Sequence, residues 1–295
     1  MKLRSLAPGK VNLGLFVGPP RPDGRHEIVT AIESVSLADE LTLSTEPGAD
    51  SDVVTCPGVG ASNLVADGLA ALRNVGWQAP PVHIEINKRV PVAGGMAGGS
   101  ADVGALLRMA MVLDELQPGQ AAQIAASLGS DIPSQLAPGL VLATGSGDVI
   151  EAREPLATHA FVLVPVQSEL STAQVYAKAD ELELPRTPNE LRRRGEEMDQ
   201  ALKPGSRLPA ELLVNDLERA TLALREEVAD VLNEARAGAV DDAVVCGSGP
   251  TVAGLFWGED ASDRAVAAAA QLIELYPGTI AAVPVGGDFG MVHQI

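Results

Sequence analysis

A chain of 295 residues with 46% apolar content can bury one large core or two medium ones, and the usual domain size of ~100–200 residues favours two. Its net charge of −18, from 21 basic and 39 acidic residues, argues against a nucleic-acid groove or an anionic-membrane patch, because polyanions must be neutralised by Lys and Arg. Cys56 and Cys246 are too few for a disulfide framework, no apolar run follows the charges of Met1 to Lys10, and no stretch approaches the ~18 apolar residues of a membrane span, so a cytoplasmic protein is expected.

Strand-like runs alternate with Ala-rich helical ones, which predicts a mixed α and β protein. Leu41-Thr42-Leu43 reads weakly as a strand. Val65, Leu69, Leu72 and Val75 fall on one face of a helix, with Ser62 and Asn63 as candidate caps. Val82, Ile84 and Ile86 alternate with His83, Glu85 and Asn87, the period of a half-buried strand. A helix is expected from Ser100 to about Leu116, with Val103, Leu106, Leu107, Ala110 and Leu113 as its apolar stripe and Pro118-Gly119 closing it. The domain boundary is expected near residues 150–160, dividing the chain into 1–155 and 156–295. Beyond it, Phe161 to Val166 reads as a buried strand, Asp180 to Pro209 as surface helices and loops, and Ala261 to Leu275 as a helix. Ala243 to Cys246 and Val252 to Phe256 read as two strands joined by the glycine turn Gly247-Ser248-Gly249-Pro250.

The most informative stretch is Pro91-Val92-Ala93-Gly94-Gly95-Met96-Ala97-Gly98-Gly99-Ser100-Ala101-Asp102, between a predicted strand and a predicted helix. Glycines let successive backbone N–H groups point one way and let a ligand approach closely, and the helix adds its unpaired N–H groups and positive dipole end. A small phosphate ligand needs little more, whatever the global charge. The loop lacks the Gly-Lys-Ser/Thr of a Walker A motif, and Met96 stands where the dinucleotide fingerprint requires glycine. Taken alone it gives a phosphate or anion site, with a triphosphate as the obvious guest. Taken alone, too, Lys10 reads as a surface lysine and Asp131 as a turn or cap residue.

This glycine stretch resembles the phosphate-loop signature of the GHMP kinases. In the form Gly-Gly-Met-Ala-Gly-Gly-Ser-Ala-Asp it resembles the variant of their 4-diphosphocytidyl-2-C-methyl-D-erythritol kinase branch. Ala7-Pro8-Gly9-Lys10-Val11-Asn12-Leu13, Arg21-Pro22-Asp23-Gly24-Arg25-His26-Glu27 and Leu128-Gly129-Ser130-Asp131-Ile132-Pro133 resemble three further motifs of that branch, and Gly247-Ser248-Gly249 its C-terminal glycine turn. The resemblance spans residues 7 to 255 and thins between 180 and 240. It implies an α+β fold of two domains, ribosomal-S5-like then ferredoxin-like, with the active site between them. It also implies ATP with Mg²⁺, and phosphorylation of the 2-hydroxyl of a cytidine-diphosphate-linked acceptor in isoprenoid-precursor synthesis.

Carried over by motif, Asp131 is the general base and Lys10 its electrostatic partner; transfer to an alcohol calls for both, a carboxylate for the proton and an ammonium for the charge on the attacking oxygen. Asn63 and Lys88 fall on the adenine side of the nucleotide and Ser100 near phosphate or Mg²⁺, with no carboxylate cluster announcing a dedicated metal cage. Asn12, Arg25, His26, Thr172 and Tyr176 fall on the acceptor, His26 and Tyr176 against its base. The chain departs from the branch at Arg25, where a Tyr is usual, and at Ser134 and Gln135, which replace apolar or aromatic residues. A different acceptor alcohol, or an inactive ligand sensor, are the competing readings. The expected partner is a small molecule, with no nucleic acid or membrane, and the sequence leaves the oligomeric state open.

Overall fold

The structure is a computed structural model and describes residues 1–59, 63–114, 116–168, 170–238 and 240–295, so the candidate cap Ser62 lies outside the described residues. In chain order its elements are β1 (Lys2–Pro20), β2 (His26–Thr45), β3 (Val53–Thr55), α1 (Leu64–Asn74), β4 (Val82–Asn87), α2 (Gly98–Asp114), α3 (Pro118–Leu128), α4 (Ile132–Gln135), β5 (Leu140–Thr144), β6 (Val149–Arg153), β7 (His159–Val164), α5 (Thr172–Glu181), α6 (Pro188–Ala201), α7 (Glu218–Leu224), α8 (Glu227–Ala237), β8 (Asp242–Val245), β9 (Val252–Trp257), α9 (Ala261–Leu272), β10 (Ile280–Ala282) and β11 (His293–Gln294).

The first lobe is a seven-stranded sheet in the order β11-β1-β2-β4-β3, with β5 continuing from the front half of β2 and β6 from β5. Helices α1, α2 and α3 cover one face, burying Leu41, Leu43, Ile84 and Ile86 against Leu69, Leu72, Leu106 and Leu107. The second lobe is antiparallel, in the order β10-β7-β9-β8. Taken in chain order its strands lie 4-1-3-2, with α8 and α9 packed on one face, which is the ferredoxin-like arrangement expected. A further core is shared by both sheets, joining Val11, Phe16 and Val29 to Phe161, Leu163 and Trp257. The lobes therefore fold against each other.

Several expectations shift in detail. Helix α2 begins at Gly98, two residues early, and ends at Asp114. Pro118 opens α3 at its first turn instead of closing α2, as suits a residue whose missing N–H would be unpaired there anyway. Asn63 caps α1, accepting from the Val65 N–H at 2.9 Å, while Val75 sits past the helix end, exposed. The first strand, β1, 19 residues long, escaped the sequence reading. It is buried on both faces from Ala7 to Val17, so it lacks the alternation that marks a half-buried strand.

One buried pair joins the lobes and carries a pH dependence. His159 of β7 and Glu33 of β2 have side chains only 3% exposed, with His159 Nε2 2.7 Å from the Glu33 carboxylate and Nδ1 2.7 Å from the Ala157 carbonyl. Both partners are acceptors, so both ring nitrogens must carry protons. Burial pulls the imidazolium down, but Glu33 and the Ala157 carbonyl outweigh it and raise the group above its ordinary value. A raised folded value stabilises fully below the unfolded histidine value of about 6.5 and is lost as pH rises through the folded value. The melting temperature should therefore fall as pH is raised from about 6 to about 9, and His159→Gln should flatten that decline. Equal slopes for the two proteins in a thermal-melt series would contradict the assignment.

Candidate active site

The glycine loop lies between β4 and α2, facing the second lobe. Ala93, Gly95 and Ala97 all have positive φ (55°, 76° and 55°), a backbone state costly for alanine that persists where the surroundings impose it. At Gly95 only glycine fits, since a Cβ would lie 2.0 Å from the Cys246 carbonyl oxygen. The loop is thus locked against the β8–β9 turn. Its own Met96 carbonyl accepts from the Lys10 N–H at 3.0 Å, which ties it to β1 as well.

Between the lobes these elements enclose a cavity of about 940 Å³. Pro91 to Gly95, Ala97 to Ser100, Asn63 and Lys88 line it, as do Asn12, Arg25, His26, Thr172 and Tyr176. Lys10, Asp131, Gly247 and Ser248 line it too. Three expected contacts do not line the cavity: Met96 of the loop and Ala101 of the first turn of α2 are buried in the two cores behind it, and Gly249 lies outside the lining.

Lys10 is only 3% exposed, and its ammonium donates to Asn12 Oδ1 at 2.8 Å and the Gly95 carbonyl at 2.5 Å. Both partners are neutral. Asn12 is itself aligned by donating to Thr30 Oγ1 at 2.9 Å, and Thr30 donates in turn to the Gly14 carbonyl. Lys10 thus keeps its charge for the cavity, unlike the other cations there. Arg25 bonds Asp23, and Lys88 bonds both Asp39 and Asp102. Among the described residues, Lys10 is the one Lys or Arg lining the cavity without a carboxylate partner. Lys10 and Asp131 do not pair directly.

Asp131 stands immediately before α4, and no described side chain or backbone donor bonds its carboxylate. It is therefore free to accept a proton from a ligand. Burial, and next the negative charge of Asp131, raise the nearby Tyr176 hydroxyl above its ordinary value, so Tyr176 stays neutral. The Tyr176 and His26 rings lie 5.1 Å apart at 35°, and His26 Nε2 is 2.8 Å from Asp180 Oδ1. Arg25 sits at the rim, half exposed. Thr172 and Ser248 hydroxyls meet at 3.0 Å, linking α5 to the glycine turn. Buried Cys246 behind that turn is pushed up to about 12 by burial, against the pull of Lys10, which leaves it an inert thiol.

Residues the sequence reading missed hold these groups in place. Asn215 donates to the Val245 and Gly247 carbonyls at 2.9 and 2.6 Å and so sets the glycine turn. Asp39 accepts from the Arg89 and Val90 N–H groups as well as from Lys88. Burial lowers the Lys88 affinity for its proton, but Asp102 and Asp39 outweigh that and raise it. Asp102 is raised to about 7, by burial first, against Lys88 and with Asp39.

Residues 63–139 match the GHMP kinases N terminal domain, and residues 195–274 the GHMP kinases C terminal domain. Fold, loop and domains together define the class: an ATP-dependent small-molecule kinase with the two-domain GHMP fold. The chain is 36% identical to the 4-diphosphocytidyl-2-C-methyl-D-erythritol kinase of Pseudarthrobacter chlorophenolicus, covering 97% of itself and 92% of that protein. It is 39% identical to the same-named kinase of Streptomyces avermitilis, covering 89% and 91%. A crystal structure of 4-(cytidine 5'-diphospho)-2C-methyl-D-erythritol kinase superposes with a TM-score of 0.71 at 28% identity, over 96% of this chain and 99% of that one. This chain belongs to the 4-diphosphocytidyl-2-C-methyl-D-erythritol kinase family. The homoserine kinase of Cytophaga hutchinsonii, at 16% identity and a TM-score of 0.70, shares the fold. No helix among the described residues is long and apolar enough to cross a membrane.

Proposed function

We propose that the chain transfers the γ-phosphoryl group of ATP to the 2-hydroxyl of 4-diphosphocytidyl-2-C-methyl-D-erythritol, the kinase step of the methylerythritol phosphate route to isoprenoid precursors. The observation that carries this reading is that one cavity is lined by an ammonium with no carboxylate partner and a carboxylate with no donor among the described residues, together with a nest of backbone amides. The nest takes the triphosphate, and Gly247 and Ser248 close on it from the second lobe. The acceptor hydroxyl lies between Lys10 and Asp131. Asp131 takes its proton as the oxygen attacks, and Lys10 stabilises the charge gathering there. His26 and Tyr176 receive the cytosine, with His26 oriented by Asp180. We divide the lobes at residues 155 and 156.

Mg²⁺ enters this reading with the triphosphate, since no group of three or more His, Cys, Asp or Glu among the described residues forms a cage. Ser100 and Asp102, whose Oδ1 has no hydrogen-bond partner, line the cavity at the start of α2 and are the oxygen donors that would complete its coordination. Held there, it would supply neutralisation of the triphosphate charge. We place the enzyme in the cytoplasm, in keeping with two unpaired cysteines, and give it no polyanionic partner, in keeping with its charge of −18.

Arg25 favours the alternative, a GHMP kinase with another acceptor. Held by Asp23 at the rim, it adds charge next to where a diphosphate would lie instead of the ring usual in the family. An ADP-release assay over an acceptor panel separates the two readings. Turnover should be at least tenfold higher in kcat/KM on the cytidine-diphosphate-linked tetrol than on 2-C-methyl-D-erythritol 4-phosphate or homoserine, because a base pocket left empty forfeits its binding energy. Faster turnover on an unlinked acceptor would establish the alternative.

A further inference from the structure

Helix α2 does two things at once. Its first turn carries the phosphate nest, and its second and third turns hold the segment that begins with Asp131. At Gly104 the backbones touch: a Cβ there would lie 2.5 Å from the Gln135 carbonyl oxygen and 2.9 Å from the carbonyl carbon. One turn later Arg108 Nη1 donates to that same carbonyl at 2.5 Å. The rest of the guanidinium reaches Gly290 O at 2.8 Å through Nε, and Leu6 O at 2.7 Å and Ser5 Oγ at 3.3 Å through Nη2.

Arg108 is 8% exposed, and all four of these partners are neutral. Burial lowers the guanidinium to about 10. A cation buried without a counter-charge is costly, and an apolar side chain would fill the same space without that penalty. An apolar side chain could not, however, fix the Gln135 carbonyl against α2. Helix α4 is one turn long, and Ser134 Oγ donates back to the Asp131 carbonyl at 2.8 Å, so Asp131 moves with Gln135. Neither Gly104 nor Arg108 lines the cavity.

We propose that Gly104 and Arg108 are positioning residues which clamp α4 to α2, fix the separation between the phosphate nest and the Asp131 carboxylate, and draw the C-terminal turn at Gly290 into that clamp. The proposal rests on the reading of Asp131 as the group that acts on the acceptor hydroxyl. The joint acts on turnover and leaves the nest as it is.

The test compares Gly104→Ala, Arg108→Lys, the double variant and Asp131→Asn with the unaltered enzyme, measuring kcat, both KM values, ATP affinity by calorimetry and the melting temperature. Gly104→Ala pushes α4 away, and a displacement near 1 Å can cost about 10²-fold, so kcat should fall about 10–100-fold with ATP affinity kept within about twofold. Arg108→Lys should lower kcat at least tenfold with the same split, and the double variant should lose less than the product of the single losses, because one joint is broken twice. If Gly104→Ala does not fold, Arg108→Lys carries the test. Folded variants that melt lower but keep full kcat, or that lose ATP affinity in step with kcat, overturn the proposal. Asp131→Asn separates the two layers. If it is inactive while the clamp variants are fully active, the clamp alone fails; if it turns over at the normal rate, the reading of Asp131 fails first.

Discussion

Asp131→Asn should bind ATP as the unaltered enzyme does and turn over about 10²–10⁴-fold more slowly. The amide is nearly the same size as the carboxylate but cannot take a proton, so the change removes one chemical ability and little packing. Among the described residues nothing competes for that carboxylate: none donates a hydrogen bond to it and no cation pairs with it, and it lines the same cavity as the nest. Its interaction is therefore made mainly in the transition state, which predicts a loss in kcat with the ATP KM held within about twofold. Steady-state kinetics and calorimetry give the two numbers. A variant with normal kcat would take Asp131 out of the chemistry and leave positioning by the nest as the whole of catalysis.

Lys10→Met should cost about 10²–10³-fold in turnover, the loss found when one preorganised electrostatic contact to a reacting oxygen is removed. The other cations lining the cavity are already paired with carboxylates. Lys88 is spent on Asp39 and Asp102, and Arg25 on Asp23, so neither can take over the role. Methionine keeps most of the stem's volume, and its neighbours Asn12 Oδ1 and Gly95 O lose only a donor each. Kinetics at saturating ATP and acceptor check this, with calorimetry expected to find ATP still bound. Should Lys10→Met abolish ATP binding and leave the rate at saturation unchanged, Lys10 would be a nucleotide ligand and nothing more.

How much of this was legible in the residues depended on how local the physics is. The nest was legible because its chemistry is consecutive: four glycines and a serine between a strand and a helix need no distant partner to make sense. Val82 to Asn87 was legible because one face is solvent-exposed, whereas β1, covered on both faces, carried no period to read. Lys10 and Asp131 are single charged residues 121 positions apart (131 − 10) and became candidates only through their motifs. The supporting groups were out of reach for the same reason. His26 meets Asp180 across 154 positions, Asn215 meets Gly247 across 32, and Lys88 meets Asp39 across 49, and nothing local marks one asparagine or aspartate among many for such a contact. Arg108 is the extreme case, a charged residue that the sequence analysis did not single out and that is buried against three carbonyls.

Where a hydroxyl sits when both ligands are present decides the account. A crystal structure of the enzyme with a non-hydrolysable ATP analogue and 4-diphosphocytidyl-2-C-methyl-D-erythritol should place the 2-hydroxyl oxygen about 3 Å from an Asp131 oxygen and about 3–3.5 Å from the γ-phosphorus, with Lys10 Nζ within hydrogen-bond reach of it and the phosphates on residues 94–100. An acceptor bound with that hydroxyl turned away from Asp131, or a triphosphate lying outside the nest, would contradict it.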